Sequence, residues 1–233
     1  MIRDYVALDL ETTGLSAKTD KIIEIGAIKV LNGEIVDKYE TLINPGAVIS
    51  QRITEVTGIT NEMVKDAPYI SEKIGELMEF IGELPLLGHN LLFDYSFVKR
   101  AAINNGYKFE KMGVDTLKIA RVRLKELESK RLDFLCAYYG IEDNNHHRAY
   151  NDAVVAHELY IKLCSEFEEE SGEPIPLVYS VKKESPITDR QVQFLSDLVR
   201  KHNIEIDYDI TKLSKNEASR KIDIILSTYG RGF

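Results

Sequence analysis

Two carboxylates stand two residues apart at the end of the first apolar run of the chain. Asp9 and Glu11 follow the segment VAL at positions 6–8. Side chains alternate across a strand, so both would point to the same face and could reach one ion. A divalent cation would relieve their mutual repulsion and the cost of removing them from water. Taken alone, a D-x-E pair is explained equally well by a structural role on a surface strand.

A third carboxylate, Asp94, lies in the segment GHNLLFD, just after an apolar run and near the start of a predicted helix. Ends of strands in α/β sheets commonly gather functional groups, which makes Asp94 a candidate partner for the first pair. The alternative is that Asp94 only helps to cap the helix. His89 and Asn90 are expected to hold this turn by local hydrogen bonds and not to bind an ion.

A histidine precedes a fourth carboxylate by five residues in the segment HHRAYNDAVVAHELY. Asp152 would enter the cluster from the first turn of a helix, and His147 would approach from the segment before it. An unperturbed imidazole titrates near neutrality, which suits His147 to take a proton from an attacking water. His146 and His157 are expected to be ordinary surface or interface histidines.

The elements that must position these residues form an α/β pattern. Residues 5–11, 22–31 and 34–43 are rich in apolar and β-branched residues and are predicted as strands, the last two joined by a hairpin turn at Asn32-Gly33. Further strands are predicted at LPLLGHN and GVDTLK. The helices are predicted at 70–82 with Ser71 as N-cap, from Leu92 to a stop at Gly106, and at roughly 117–128, 130–139 and 149–167. This order predicts an α/β domain with a mixed sheet.

The C-terminal part has its own helical pattern. Three prolines, at 174, 176 and 186, follow the acidic run EFEEESGE and indicate a linker. Beyond it, TDRQ at 188–191 and SKNE at 214–217 fit the capping box, and each precedes an amphipathic helix. The predicted organisation is therefore a catalytic domain over 1–168, a linker over 169–187 and a small helical module over 188–233.

Composition is that of a folded globular protein. The chain has 233 residues, of which 44% are hydrophobic and 29% charged, and its formal net charge is −8. That charge argues against broad electrostatic wrapping of nucleic acid, although a carboxylate-rich site contributes to it. A signal peptide and a transmembrane run are absent from the sequence, so a cytoplasmic location is expected.

The motifs DLETTGL, GHNLLFD and HRAYND occur in that order. Together they resemble the three exonuclease motifs of the DEDD superfamily in its histidine subgroup, which includes the epsilon-type proofreading exonucleases of bacterial DNA polymerase III, ribonuclease T and oligoribonuclease. The similarity covers roughly residues 4–167, and INPGAVISQRITEVTGIT also resembles a segment of the proofreading members. The resemblance implies a ribonuclease H-like fold and a metal-dependent 3′→5′ exonuclease that releases nucleoside monophosphates.

By the same resemblance, the site would hold two Mg²⁺ or Mn²⁺ ions about 3.5–4 Å apart. Asp9 would bridge them, Glu11 and Asp152 would complete the shell of the first, and Asp94 would hold the second mainly through water. His147 would be the general base for the attacking water.

Substrate contacts are assigned by the resemblance to Thr13, Leu15, Thr57 and Phe97, which would hold the terminal nucleotide. Thr57 stands where some proofreading relatives have a histidine, and Phe97 fits a core position on its helix about as well. The basic stretch KIARVRLKELESKR could guide a strand by its phosphates, but a solvated helix face is the default explanation.

Three functions are compatible with these motifs. RITEVTGIT favours DNA 3′ ends as substrate in proofreading or repair, with a DNA polymerase or another DNA-processing protein as a possible partner. The first alternative is an RNA-directed 3′→5′ exonuclease of the ribonuclease T or oligoribonuclease type. The second is a nucleic-acid-binding or polymerase-tethering subunit with a decayed site, which the complete set of motif residues disfavours.

Overall fold

The computed structural model describes residues 1–142, 147–167, 172–206 and 208–230. The chain divides into two compact units, Met1–Val181 and Lys182–Phe233. The strands of the first unit are β1 Tyr5–Thr12, β2 Ile22–Leu31, β3 Glu34–Leu42, β4 Leu86–Gly88, β5 Met112–Asp115 and β6 Ile175–Pro176. Its helices are α1 Gln51–Thr57, α2 Asn61–Val64, α3 Ile70–Ile81, α4 Leu92–Asn104, α5 Thr116–Arg123, α6 Leu132–Tyr139 and α7 Ala149–Phe167.

The six described strands form one mixed sheet in the order β3-β2-β1-β4-β5-β6. β1 pairs antiparallel with β2 and parallel with β4, and β4 pairs parallel with β5. β1 is therefore a central strand; Val6 and Ala7 pair with Leu86 and Leu87, so the last residues of β1 extend past the carboxyl end of β4. The loop that follows β4 leads into α4 at the same edge of the sheet as the end of β1.

The two faces of β1 are covered by different helices. Val6, Leu8 and Leu10 pack in the core cluster that includes α3 and α4, whereas Tyr5 and Ala7 pack in the cluster that includes α5, α6 and α7. This period of two is the alternation expected of a strand buried on both faces. It places every odd-numbered residue of β1 on the α7 side.

The predicted α/β class and mixed sheet are confirmed. Most differences between the predicted and the observed elements concern where a helix or strand begins or ends. The hairpin forms at Asn32 and Gly33, whose φ angles are 55° and 86°. Ser71 is wrong as the N-cap of α3, because Tyr69 holds that position and its N–H donates to the Glu72 carboxylate at 2.7 Å. The strand predicted at GVDTLK ends at Asp115, which caps α5. The short helices α1 and α2 and strand β6 were not predicted.

The second unit contains α8 Asp189–Lys201, a 3₁₀ helix at Ile210–Lys212 and α9 Lys215–Tyr229. Both predicted capping boxes are present at the starts of α8 and α9. Part of the segment predicted as linker belongs to the first unit, because Ile175–Pro176 pairs with β5. Within the described ranges, no helix is both long and apolar enough to cross a membrane.

Candidate active site

Asp9 and Glu11 lie on the face of β1 that α7 covers. They continue the odd-numbered series of that strand, and both are half-buried. In the register of β1 with β2, Asp9 is opposite Gly26 and Glu11 is opposite Glu24. The predicted placement of both carboxylates on one face therefore follows from the alternation of the strand.

Asp94 reaches the same strand from the first turn of α4. Its side chain is 3% exposed, and its carboxylate accepts a hydrogen bond of 3.1 Å from the backbone N–H of Leu10. Leu91 is the N-cap of α4 and makes no side-chain cap bond. The Asp94 carboxylate thus reaches across to β1 and binds the backbone there between Asp9 and Glu11.

His147 and Asp152 approach from the start of α7. Asp152 lies in the first turn of the helix and is 8% exposed. Single ligand atoms of Glu11, His147 and Asp152 all lie within 4.8 Å of one another. His147 has a φ of 63°, a left-handed conformation that non-glycine residues seldom adopt and that costs about 1–3 kcal/mol. The surrounding structure must hold it there.

The other two histidines of this segment lie outside the cluster or outside the described residues. His146 belongs to the residues that the structure does not describe. His157 is 6% exposed, and its Nδ1 lies 2.6 Å from the Tyr5 hydroxyl. It is therefore a hydrogen-bonded histidine of the domain core, not the surface or interface residue that was predicted.

Burial, together with the repulsion between neighbouring carboxylates, disfavours the charged forms of the acidic residues in this cluster. Burial, followed by the carboxylates of Asp94, Asp152, Glu11 and Glu24, raises the pKa of Asp9 well above its ordinary range. Burial and the charges of Asp152 and Glu24 raise the pKa of Glu11 to about 8, although Arg148 opposes this. Burial also raises the pKa of Asp94, against the hydrogen bonds that its carboxylate accepts from backbone N–H groups.

This donor set fits a divalent cation. Without a cation, the charged forms of Asp9, Glu11 and Asp94 are all disfavoured, and a bound positive charge would favour them. Carboxylate oxygens suit hard ions such as Mg²⁺ and Mn²⁺, whereas an imidazole nitrogen suits softer transition metals. Among the described residues, the candidate ligands found within reach of one ion are Glu11, His147 and Asp152, and of these the two carboxylates are the ones suited to Mg²⁺ or Mn²⁺.

His89 and Asn90 hold the turn before α4, as predicted, but their hydrogen bonds reach residues 25 to 41 positions away and are not the local bonds that were expected. The ring nitrogens of His89 lie 2.9 Å from the Thr116 hydroxyl and 2.9 Å from the Lys130 carbonyl oxygen. The N–H of Asn90 donates to the Asp115 carboxylate at 2.9 Å. Burial lowers the pKa of His89. These bonds fix the turn that precedes α4 to the start of α5 and to the segment between α5 and α6.

The structure also shows an ion pair that the sequence did not predict. Glu24 on β2 is 1% exposed and pairs with Arg148, the residue after His147, at 2.6 Å. Its carboxylate also accepts the N–H of Ala149 at 3.0 Å. The sequence does contain one indication of this pair: Glu24 is the single carboxylate in the apolar strand segment IIEIGAIKVL, and a buried charge requires a partner.

Two of the predicted substrate contacts lie in the loop between β1 and β2. Thr13 is half-buried and exchanges two hydrogen bonds with Lys21: its N–H donates to the Lys21 carbonyl at 2.8 Å, and its hydroxyl accepts the Lys21 N–H at 2.9 Å. Leu15 is 88% exposed. An apolar side chain so open to solvent can pack on a ligand.

The other two predicted substrate contacts are buried. The Thr57 hydroxyl donates to the carbonyl of Ile53 at 3.0 Å and accepts the N–H of Ile59 at 3.1 Å, so it serves the end of α1. Phe97 is 3% exposed and packs beside the Phe93 ring at 5.0 Å between centroids. These positions favour the core explanation of Phe97 and a local structural role for Thr57.

A cavity of about 550 Å³ adjoins the cluster. His147 and Asp152 form part of its wall, and Arg121, Lys130 and Arg131 from the basic stretch form another part, together with two further acidic side chains. Part of this stretch therefore faces the candidate site and is not only a solvated helix face.

The six-stranded mixed sheet with helices on both faces is a ribonuclease H-like α/β fold, as in solved exonuclease structures. A family model described as "Exonuclease" matches residues 6–160. The chain belongs to this exonuclease family, which confirms the membership predicted from the three motifs.

Curated relatives and solved structures agree with this assignment. The chain is 40% identical over 184 residues to a "DNA polymerase III PolC-type" of Caldanaerobacter subterraneus subsp. tengcongensis, a match over 79% of this chain and 13% of that protein. This chain thus spans about an eighth of that relative's length. Exonuclease X in complex with 5′ overhanging duplex DNA has a TM-score of 0.57 at 25% identity, over 71% of this chain and 94% of that one. E. coli Exonuclease I in complex with a dT13 oligonucleotide has a TM-score of 0.63 at 18% identity, over 70% of this chain and 41% of that one. At this identity the likeness supports the fold and no finer conclusion.

Proposed function

We propose that the first unit is a 3′→5′ exonuclease that releases nucleoside monophosphates from DNA 3′ ends. The observation that carries this proposal is the meeting of Glu11, His147 and Asp152 within 4.8 Å, from distant parts of the chain, in a member of the exonuclease family. Asp9 and Asp94 extend the same acidic cluster. We assign the activity to the first unit because these residues and the cavity all belong to it.

The residues have separate roles in this proposal. Asp9, Glu11, Asp94 and Asp152 would hold two divalent cations, Mg²⁺ or Mn²⁺. When bound, the cations would neutralise the carboxylates and the charge that develops on the phosphate. The His147 imidazole would accept a proton from the water that attacks the terminal phosphodiester. The bond from phosphorus to the 3′ oxygen of the preceding nucleotide would then break.

The cavity beside His147 provides a path for the strand. Arg121, Lys130 and Arg131 line it and would contact the phosphates of a strand whose last phosphodiester lies at the cluster. Glu128 and Asp133 also line it, and Arg131 pairs with Asp133 at 3.0 Å, so Arg121 and Lys130 are the cations that we assign to the phosphates. DNA is favoured over RNA because the relative at 40% identity is named as a DNA polymerase and Exonuclease X was solved with duplex DNA. A DNA polymerase or another DNA-processing protein is the partner that we propose.

Single-stranded DNA and RNA of equal sequence, each labelled at the 3′ or the 5′ end, test this function with Mg²⁺ and with Mn²⁺. We expect labelled mononucleotide from the 3′-labelled DNA at the earliest times and a descending ladder from the 5′-labelled DNA. Faster digestion of RNA would instead support the RNA-directed function. Asp9→Ala is the control, and undiminished hydrolysis by this variant in metal-replete buffer would show that the site is wrongly assigned.

A further inference from the structure

Glu24 is a buried carboxylate to which the proposed reaction gives no role. It lies on β2, directly opposite Glu11 on β1, and is 1% exposed. A buried charge is costly unless it is paired and hydrogen-bonded. Its partners therefore indicate what it does in the fold.

Those partners lie 124 and 125 residues further along the chain, at the start of α7. Arg148 Nε lies 3.0 and 3.2 Å from the two Glu24 oxygens, and Arg148 Nη2 lies 2.6 Å from one of them. The backbone N–H of Ala149 donates to the other oxygen at 3.0 Å. One carboxylate on β2 thus receives the fork of the guanidinium and a backbone donor from the first turn of the helix.

Gly26, two residues after Glu24 on β2, brings the helix still closer. A Cβ atom at this position would lie 2.0 Å from the backbone nitrogen of Tyr150 and 2.1 Å from the carbonyl carbon of Ala149. The first turn of α7 therefore rests directly on the backbone of β2. Two nearby positions of β2 therefore fix the start of α7: Gly26 leaves space for the helix backbone, and Glu24 pairs with Arg148.

Arg148 links this contact to two residues of the candidate site, His147 before it in the chain and Asp152 after it. His147 precedes it in a left-handed backbone conformation, with a φ of 63°. On the other side, the Arg148 carbonyl accepts the N–H of Asp152 at 3.0 Å. Anchoring Arg148 therefore limits the freedom of His147 and of the turn that carries Asp152.

We propose that Glu24 and Arg148 form a latch between β2 and α7 that sets the positions of His147 and Asp152 relative to β1. Glu24 is then a positioning residue for the exonuclease reaction. This inference rests on the function proposed above. The latch acts on the geometry of the site. Glu24 also adds negative charge near Asp9 and Glu11, so an Arg148→Lys variant, which keeps both charges of the pair, isolates the geometric effect.

Glu24→Gln tests the latch, because it keeps the size of the side chain and one acceptor oxygen but removes the charge. Glu40→Gln is the matched control: Glu40 is exposed on β3, and its backbone pairs with Gly26. On a 5′-labelled oligonucleotide, we expect Glu24→Gln to lower kcat at least tenfold with KM within twofold, and Glu40→Gln to leave both within twofold. An unchanged kcat in Glu24→Gln, with or without a raised KM, would overturn the latch.

Hydrogen exchange of the Ala149 amide gives a readout that does not depend on activity. We expect faster exchange in Glu24→Gln than in the parent chain, and no change in Glu40→Gln. Equal exchange in all three chains would overturn the latch. If the parent releases no mononucleotide, the proposed function fails while this comparison still tests the latch.

Arg148→Lys and Arg148→Gln provide a second pair of variants in case Glu24→Gln does not fold. Lysine keeps a cation near Glu24 but loses the fork, whereas glutamine leaves the buried carboxylate without a charged partner. We expect kcat to fall in the order parent, lysine variant, glutamine variant. Equal kcat in the two variants and the parent would overturn the latch.

Discussion

The carboxylate of Asp94 accepts a hydrogen bond of 3.1 Å from the backbone N–H of Leu10, the residue between Asp9 and Glu11. This bond joins the first turn of α4 to the central strand of the sheet at the point where the strand carries its two carboxylates. Asp94 therefore has two separable properties: it satisfies a backbone donor of β1, and it adds a negative charge to the cluster.

Asp94→Asn and Asp94→Ala separate these two properties. The asparagine oxygen can still accept from Leu10, so we expect the melting temperature to stay within a few degrees while Mn²⁺ affinity falls about tenfold or more. Alanine leaves the Leu10 N–H without its acceptor, and the free energy of unfolding should fall by a further ~1–3 kcal/mol. Isothermal titration with Mn²⁺ and denaturant unfolding measure the two effects. Parent-like Mn²⁺ binding by both variants would exclude Asp94 from the metal site.

Stability without metal should fall as pH rises from about 5 to about 8. In the folded chain Glu11 keeps its proton up to a pKa of about 8, whereas in the unfolded chain the pKa returns to about 4.3. Between these values the folded state binds more protons, so the free energy of unfolding decreases with increasing pH. Melting curves in EDTA at several pH values measure this slope. Glu11→Gln should reduce it without abolishing it, because the pKa values of Asp9 and Asp94 are also raised in the folded chain.

Adding Mg²⁺ or Mn²⁺ should reverse this loss, because cations bind the ionised carboxylates and stabilise the folded state by mass action. We expect the increase in melting temperature to be larger at pH 8 than at pH 5. An increase that is equal at both pH values, or that persists in Asp9→Ala, would place the stabilising ion elsewhere.

Arg121 and Arg123 should differ although both are exposed arginines of α5. Arg121 lines the cavity beside His147, and Arg123 does not. We therefore expect Arg121→Gln to raise KM for an oligonucleotide severalfold and to weaken the salt dependence of binding, with little effect on kcat. Arg123→Gln should leave KM within twofold. Equal effects of the two substitutions would mean that the basic stretch acts only through its total charge.

Local patterns were sufficient to predict the parts of the fold that depend on neighbouring residues. The alternation of β1 put Asp9 and Glu11 on one face, and the apolar stripe of 149–167 predicted the bounds of α7. The Glu24–Arg148 pair joins residues 124 positions apart, and no periodicity within a single element specifies such a partner. The N-cap of α3 was misplaced for a smaller reason, because Ser71 has the preferred capping side chain but the chain enters the helix at Tyr69.

Phe97 and Leu15 were both predicted to contact the terminal nucleotide, and their different exposure leads to opposite expectations. Phe97 is 3% exposed, so Phe97→Ala should remove core packing and lower the free energy of unfolding by about 3–5 kcal/mol. Leu15 is 88% exposed, so Leu15→Ala should leave stability within about 0.5 kcal/mol. If Leu15 packs on the terminal nucleotide, KM should rise for Leu15→Ala alone.

Denaturant unfolding and steady-state kinetics on the same two variants measure these effects. Under conditions in which Phe97→Ala remains folded, its KM should equal that of the parent, because the lost ring contacts other core side chains such as Phe93. A stable Phe97→Ala variant with a raised KM would instead place the ring against the nucleotide and would mean that substrate binding rearranges α4.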